Sequence, residues 1–457
     1  MQTARSLADF AVEFPTDVYS DVRLERTVEH RIMLRDDVLE DVQSTVETGA
    51  LIRVHKNGSW LIASTTDLHE IPRILSRLAT SKSAPIGRGA SGVDHLDVHR
   101  DQRLVFEDER IDRVPLQEKL TFLRSFLDAL ARPSIKTWGA RWIDQHRERR
   151  FLSSKGADVH HDYQEGGVIL SFVMGEGADA VTETFRTADH RFSSLVSSRE
   201  AARRALRAHL EKCEYFAEEA VPVEAGPATV ILAPEAAGIF AHESFGHKSE
   251  ADFMLGDPAM MEEWKIGSRV AADGVSITDA GHDFGSGYMP YDDEGQPTQT
   301  THLINDGMLS GRLHSSMTAA ALGESPTGNA RAISFRFEPI VRMTNTTFAP
   351  GRLTKAELFA TVEDGYFIET VKHGSGMSTF TLAPSLCWRI RRGQICEPVR
   401  VAVMTGTVFE TMGEIDGLSD EVEVPFLVGG GCGKMEQWPL SVGFGGPHVR
   451  VRRMNLA

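Results

Sequence analysis

Helix-forming periodicity is concentrated in the first half of this 457-residue chain. Near Val221-Pro222-Val223-Glu224-Ala225-Gly226-Pro227 it gives way to short strands broken by turns. Upstream, residues 67–79 place Leu68, Ile71, Ile74, Leu75 and Leu78 on one side of a helix. Residues 116–131 do the same with Leu120, Leu123, Phe126, Leu127 and Leu130, and Pro133 follows their end. Residues 197–220 form the longest helical candidate. Its arginine-rich start and glutamate-rich end oppose the helix dipole, so packing has to hold it. Residues 51–56 and 59–64 flank Asn57-Gly58, a two-residue hairpin signal. Downstream, Asn305-Asp306-Gly307 and Arg392-Gly393 each separate a pair of short strands. The expected fold is α+β: an N-terminal α/β domain over residues 1–222, with a sheet and flanking helices, then a β-rich C-terminal domain over residues 223–457.

The formal charge of −16 argues against nucleic acid or an anionic membrane as the main partner. Four cysteines (Cys213, Cys387, Cys396 and Cys432) are too few and too scattered for a disulfide framework. Cys213, inside the longest helix, reads as a core thiol. Met1 to Asp21 carries acids without the apolar centre of a secretory signal. No uncharged run approaches the roughly 20 residues that span a bilayer. Together these features predict a cytoplasmic protein. Gly87-Arg88-Gly89-Ala90-Ser91-Gly92 matches the dinucleotide-binding glycine spacing, but it follows Pro85 rather than a strand and opens no helix, so it reads as a loop.

The chemistry is concentrated in Ala241-His242-Glu243-Ser244-Phe245-Gly246-His247-Lys248-Ser249-Glu250-Ala251-Asp252, which follows a mostly apolar run and is expected to lie on a helix of the second domain. Two imidazoles with a carboxylate beside the first compose a hydrolytic zinc site: the rings hold the metal and the carboxylate takes a proton from water. Three residues, rather than the familiar two, separate Glu243 from His247. On an ideal helix the two histidines would therefore stand about 140° apart. Both can reach one ion if the helix widens or ends between them, and Gly246 is placed to permit that distortion. The plainer reading is a surface helix that happens to carry two histidines.

A hydrolytic zinc site takes three protein ligands and keeps one open position. The third ligand is sought among Glu250, Asp252, His282, His302, His314, His373 and Cys432. Cys432 stands out for its setting, Gly429-Gly430-Gly431-Cys432-Gly433-Lys434. Glycines let the backbone approach a metal, and Lys434 would favour the thiolate. The plainer reading of such a cysteine is a small buried residue.

At this point the chain resembles a known family. His-Glu-x-x-Gly-His-x-x-Glu-x-Asp over residues 242–252 is similar to the signature of the TldD subunit of the TldD/PmbA (TldD/TldE) peptidases. The likeness continues through Ser325-Pro326-Thr327-Gly328-Asn329-Ala330-Arg331, Arg342-Met343-Thr344-Asn345-Thr346, Cys432-Gly433-Lys434 and Gly443-Phe444-Gly445-Gly446-Pro447. Upstream it includes Asp21-Val22-Arg23-Leu24-Glu25 and Asn57-Gly58-Ser59-Trp60, so it covers nearly the whole chain. The resemblance implies that His242, His247 and Cys432 bind zinc and that Glu243 is the catalytic residue of a metallopeptidase. It also implies a dimer, either of two copies or with a PmbA/TldE-like paralogue, that encloses the site and takes unfolded or extended peptides by strand addition. The chain departs from the family at Ala251, usually a glycine, and at Glu436-Gln437-Trp438, where Trp438 could reshape the substrate channel. The stretch around His373 is also less typical.

The mechanism expected is attack by zinc-activated water with Glu243 as general base. Iron or manganese could take the place of zinc, although a thiolate with two imidazoles favours zinc. The alternative is a non-catalytic peptide-binding or regulatory subunit of such a dimer. A serine hydrolase is a weaker reading: no Gly-x-Ser-x-Gly elbow is present, and the Gly-Ser-Gly triplets at 285–287 and 374–376 read as turns.

Overall fold

The structure, a computed structural model, describes residues 7–82, 91–177 and 180–457. Gly87 to Ala90 of the glycine pattern lie outside the described residues. Strand β1 (Tyr19–Arg35) turns back into β2 (Val38–Lys56) through Asp36 and Asp37. Both residues are left-handed, with φ of 44° and 70°, as a two-residue hairpin turn requires. Asn57-Gly58 then makes the expected second turn into β3 (Ser59–Thr65), at φ of 53° and 81°. Helix α1 (Ile71–Thr80) buries Ile71, Ile74, Leu75 and Leu78, the apolar stripe that the sequence spacing predicts.

The remaining upstream elements are β4 (Arg100–Arg103), α2 (Leu116–Arg124), β5 (Ile135–Ser153), β6 (Asp158–Met174), β7 (Val181–Asp189) and α3 (Phe192–Glu219). The strands form one seven-stranded sheet in the order β3-β2-β1-β5-β6-β4, with β7 also paired to β6. Strand alternation gives this sheet two unlike faces. Ile32, Trp142, Val168 and Leu170 share a core with Phe122 of α2 and with Leu206 and Leu210 of α3. Cys213 belongs to the same core, fully buried as a core thiol should be. The opposite face is charged and docks on the second half of the chain. There Arg23 and Arg149 both pair with Asp293, at 3.2 and 2.8 Å, and Arg53 pairs with Glu294 at 3.0 Å. Because all these groups are buried, each charge needs its partner.

Beyond β8 (Val221–Pro222) and β9 (Gly226–Leu232) the chain is rich in short strands, most of them antiparallel. The main sheet has ten strands, with β9 lying between Asp364–Ile368 and Val449–Leu456 near its middle. A five-stranded sheet contains Ile277–Ala280 and Asn345–Phe348. Helix α4 (Pro234–Ala241) follows β9 directly and lies so near the second sheet that a Cβ on Gly238 would come within 2.3 Å of the Gly445 backbone. This close seat fixes the end of α4, where the chemistry of the sequence begins. The observed architecture is α+β, as expected.

Candidate metal centre

The apolar run before His242 is explained by its surroundings. Pro234 opens α4 in the first turn, where a missing N–H costs nothing, and every residue of the helix except Glu235 is buried. At His242 the helix widens: the His247 amide donates to the His242 carbonyl five residues back, so His242–Gly246 is a single π turn. A tighter turn, His247–Ser249, follows. The five-residue spacing of the histidines therefore has its structural counterpart in the expected widening. Gly246 itself keeps ordinary helical angles, φ −59° and ψ −53°. Its lack of a side chain serves packing, because a Cβ there would fall 2.0 Å from Met343 Sδ.

The widened turn brings His242 and His247 together with Cys432, whose ligand atoms all lie within 4.8 Å of one another. Cys432 Sγ stands 3.3 Å from His247 Nε2, and the two imidazole centroids are 4.9 Å apart. Burial raises the Cys432 thiol, but His242 and His247 outweigh it and bring its pKa down to about 5. Burial lowers His247, while Cys432 and Glu250 push it up to about 10. The sulfur is thus held as a thiolate, the form that ligates metals. His242 Nδ1 is buried with no hydrogen-bond partner among the described residues. A buried ring nitrogen without a partner is unusual in a protein interior. Two imidazoles and a thiolate also form a donor set that suits zinc. By both criteria the three residues fit a metal ion.

Charged groups hold the two halves of the site in register. Glu250 is fully buried, with Oε2 at 3.3 Å from His247 Nδ1. Lys434 Nζ lies 3.0 Å from the same Glu250 oxygen, 2.6 Å from Asp252 Oδ1 and 2.9 Å from the Val341 carbonyl. Burial raises the Glu250 carboxyl, but His247, Lys434 and Arg342 hold it below the usual range. Cys432 and Lys434 alternate with exposed Gly433 on strand Cys432–Lys434, so thiol and ammonium share one face. His247 and Glu250 are one turn apart and meet them in the same order. Arg342 anchors the strand by donating to the Cys432 carbonyl at 2.7 Å.

The other candidate ligands go elsewhere. His314 is buried between Thr318 Oγ1 and Glu324, at 3.1 and 2.9 Å. His282 faces Asp283 at the surface, and His302 is exposed on strand Thr300–Asn305. Asp252 is taken up by Lys434. His373 is exposed on the wall of the cleft in front of the site. That cleft has a volume of about 660 Å³ and is also lined by Glu235, Glu243 and Trp438. Glu243 is half-buried against strand Val371–Gly376: a Cβ on Gly374 would come within 2.8 Å of its Cγ, and one on Gly376 within 2.5 Å of its carbonyl oxygen. The second Gly-Ser-Gly triplet is therefore part of a strand rather than a turn. Ser286 of the first triplet bonds the Leu427 backbone in both directions.

Sequence reasoning assigned no role to Arg342, although it lies inside a stretch already singled out. Its signal would have been an arginine with no acidic neighbour in an otherwise apolar strand region.

A family model described as the PmbA/TldA metallopeptidase C-terminal domain matches residues 225–457. Models for domain 1 and the central domain of the same family match residues 20–81 and 109–208. The chain belongs to the PmbA/TldD metallopeptidase family. Family relatives include a Synechocystis protein named as a metalloprotease, 31% identical over 447 residues that cover 95% of this chain and 93% of that one. A Saccharolobus solfataricus relative, named as a zinc metalloprotease TldD homolog, is 27% identical over 443 residues and 96% of each chain. Two solved structures share the fold at low identity. TldE from Thermococcus kodakarensis aligns with a TM-score of 0.74 at 15% identity, and a Thermotoga maritima chain with 0.77 at 19%, each over 96% of both chains. The relatives' names and the His-His-Cys group agree in pointing to a metal-dependent protease family. No helix among the described residues is long and apolar enough to cross a membrane.

Proposed function

We propose that the chain is a zinc metallopeptidase that hydrolyses unfolded or extended peptides. The observation that carries this reading is the convergence of His242, His247 and Cys432 within 4.8 Å, with Glu243 beside them on the wall of an open cleft. His242, His247 and Cys432 would hold the ion, which when bound supplies Lewis acidity and lowers the pKa of water. Glu243 takes the proton of the attacking water and hands it to the leaving amine. Glu250 keeps His247 oriented, and the packing of Gly374 and Gly376 against Glu243 holds the base in place.

The same geometry supports binding by strand addition. Val371–Gly376 is the terminal strand of the ten-stranded sheet, paired on one side with Thr379–Pro384, and it lines the cleft. An extended peptide adding to its free edge is held by main-chain hydrogen bonds with little sequence preference. Likeness to a TldE structure supports pairing with a second copy or a TldE-like paralogue, and the absence of a long apolar helix among the described residues agrees with a cytoplasmic setting. The test is Glu243→Gln. Zinc measured by elemental analysis should stay at the unsubstituted level while cleavage of an unstructured fluorogenic peptide falls by at least about a hundredfold. Undiminished turnover would remove Glu243 from the mechanism.

A further inference from the structure

Three arginines on the charged face of the large sheet stand near one another without an ion pair among the described residues. Arg31 is on β1, Arg141 on β5 and Arg186 on β7. The register places Arg31 opposite Ile143, Arg141 opposite Ile169, and Ile169 opposite Arg186. Residues directly opposite share a face, as do Arg141 and Ile143 two positions apart, so the three guanidinium groups rise from one side of the sheet. Adjacent strands are about 4.8 Å apart, which puts the Arg141 and Arg186 backbones roughly 10 Å from each other.

None of the three makes a hydrogen bond or ion pair among the described residues, whereas Arg23, Arg53 and Arg149 on the same sheet are all paired. Arg141 is half-buried; burial, and then repulsion from Arg186 and Arg31, lower its pKa. Arg31 and Arg186 are exposed, as solvated surface arginines would be, but each stands at the wall of a cavity. Arg186 lines the cleft of the metal centre, while Arg31 and Arg141 line a second cavity of about 780 Å³. The two cavities adjoin, sharing Gly430, Trp438 and Ser441 as a common wall. The glycine loop that delivers Cys432 rests on the same row: a Cβ on Gly429 would lie 2.5 Å from Ile169 Cδ1 and 3.0 Å from Ile143 Cδ1. The carboxylates in the second cavity are already engaged, Glu25 by Arg149, Glu29 by Gln145, Glu47 by Arg336, Asp144 by Lys119 and Glu165 by the Ser441 hydroxyl. Glu235 lines the same cleft as Arg186, which attracts its carboxylate without an ion pair among the described residues, and it would oppose a bound anion there.

We propose that Arg31, Arg141 and Arg186 form a carboxylate-binding site, beside the metal centre, that holds an acidic side chain or the free C-terminus of the peptide. The proposal rests on the peptidase reading of the adjoining cleft. Guanidinium groups bind carboxylates through paired, charge-assisted hydrogen bonds, so the site gives an otherwise sequence-tolerant strand-addition cleft a preference for acidic chains.

The test uses the full chain carrying Glu243→Gln, so that bound peptide is not cleaved, and fluorescence anisotropy of labelled, unstructured peptides. One peptide carries three glutamates, its counterpart three glutamines, and each is made with a free and an amidated C-terminus. The acidic peptide should bind about tenfold more tightly than its counterpart, and less so as salt rises. Loss of affinity on amidation alone assigns the site to the C-terminus, and loss on the glutamine exchange assigns it to side chains. Arg141→Gln with Arg186→Gln should abolish the preference, while Arg141→Lys, which keeps the charge, should retain part of it; circular dichroism checks that each variant folds. Equal affinity for all four peptides, or a preference untouched by the double substitution, overturns the proposal. Hydrolysis by the unsubstituted chain without acidic preference would sink the arginine site and leave the peptidase reading standing. Acidic preference without hydrolysis would do the reverse.

Discussion

Lys434→Met removes the ammonium that ties the cysteine strand to the histidine turn while keeping a side chain of similar length. Lys434 is 6% exposed and its partner Glu250 is fully buried, so water cannot take over the lost interaction. Breaking one side of a buried ion pair costs about 3–5 kcal/mol, because the remaining charge is left uncompensated. Lys434 serves Glu250, Asp252 and the Val341 carbonyl together, and its ammonium lies 4.3 Å from the Phe253 ring centroid. A loss of about 4 kcal/mol is therefore expected, large against a total stability of roughly 5–15 kcal/mol. Urea denaturation followed by circular dichroism measures it. Adding Glu250→Gln removes the stranded charge, so the double variant should recover about 2 kcal/mol of that loss. Glu250 also orients His247, so both variants should bind zinc about 10–100-fold more weakly in chelator competition. A loss below about 1 kcal/mol with unchanged zinc affinity would mean that the pair is effectively solvent-screened, and the account of a pre-set site would have to be abandoned.

Two further outcomes follow from the same geometry. Cys432→Ser should lower zinc occupancy in elemental analysis, since a hydroxyl replaces the thiolate beside His247; full occupancy would assign the third ligand to another residue. Glu165 supplies a pH test: burial, only partly offset by the Ser441 hydroxyl and by Arg147 and Arg331, raises its carboxyl from 4.5 to about 7. The folded chain holds that proton where the unfolded chain has lost it. The contribution of this group to stability is thus complete below 4.5 and disappears as pH rises through about 7. The difference corresponds to at most about 3 kcal/mol. Glu165→Gln, neutral throughout, should flatten the denaturation midpoint between pH 5 and pH 8, and an unchanged slope would show that Glu165 ionises normally.

Much of the site could be anticipated from local spacing. The five-residue interval between His242 and His247 demands a widened or interrupted helix, and a π turn spans it. The Asn57-Gly58 hairpin and the stripe of α1 were equally readable, because turn chemistry and helical periodicity are short-range signals. Two things were not. The long hairpin of β1 and β2 turns on Asp36-Asp37, a pair without the usual glycine, and β2 is exposed along most of its first half, so neither a turn dipeptide nor an apolar alternation marks it. The arrangement around Cys432 was hidden for a different reason. Glycines on either side suggested close approach, but only tertiary structure shows Lys434 meeting Glu250 and Arg342 holding the Cys432 carbonyl. Long-range electrostatic pairing leaves no periodic trace in a sequence.

The distance in sequence between His247 and Cys432 has a consequence for biosynthesis. The sulfur is the last of the three donors to be translated, 185 residues after His247. A nascent chain that stops short of it carries two imidazoles and a base but cannot close the trio. An enzyme whose proposed diet is unfolded polypeptide would, by this order of assembly, stay inert until the strand that carries the sulfur has been made, while its own emerging chain is the nearest unfolded substrate.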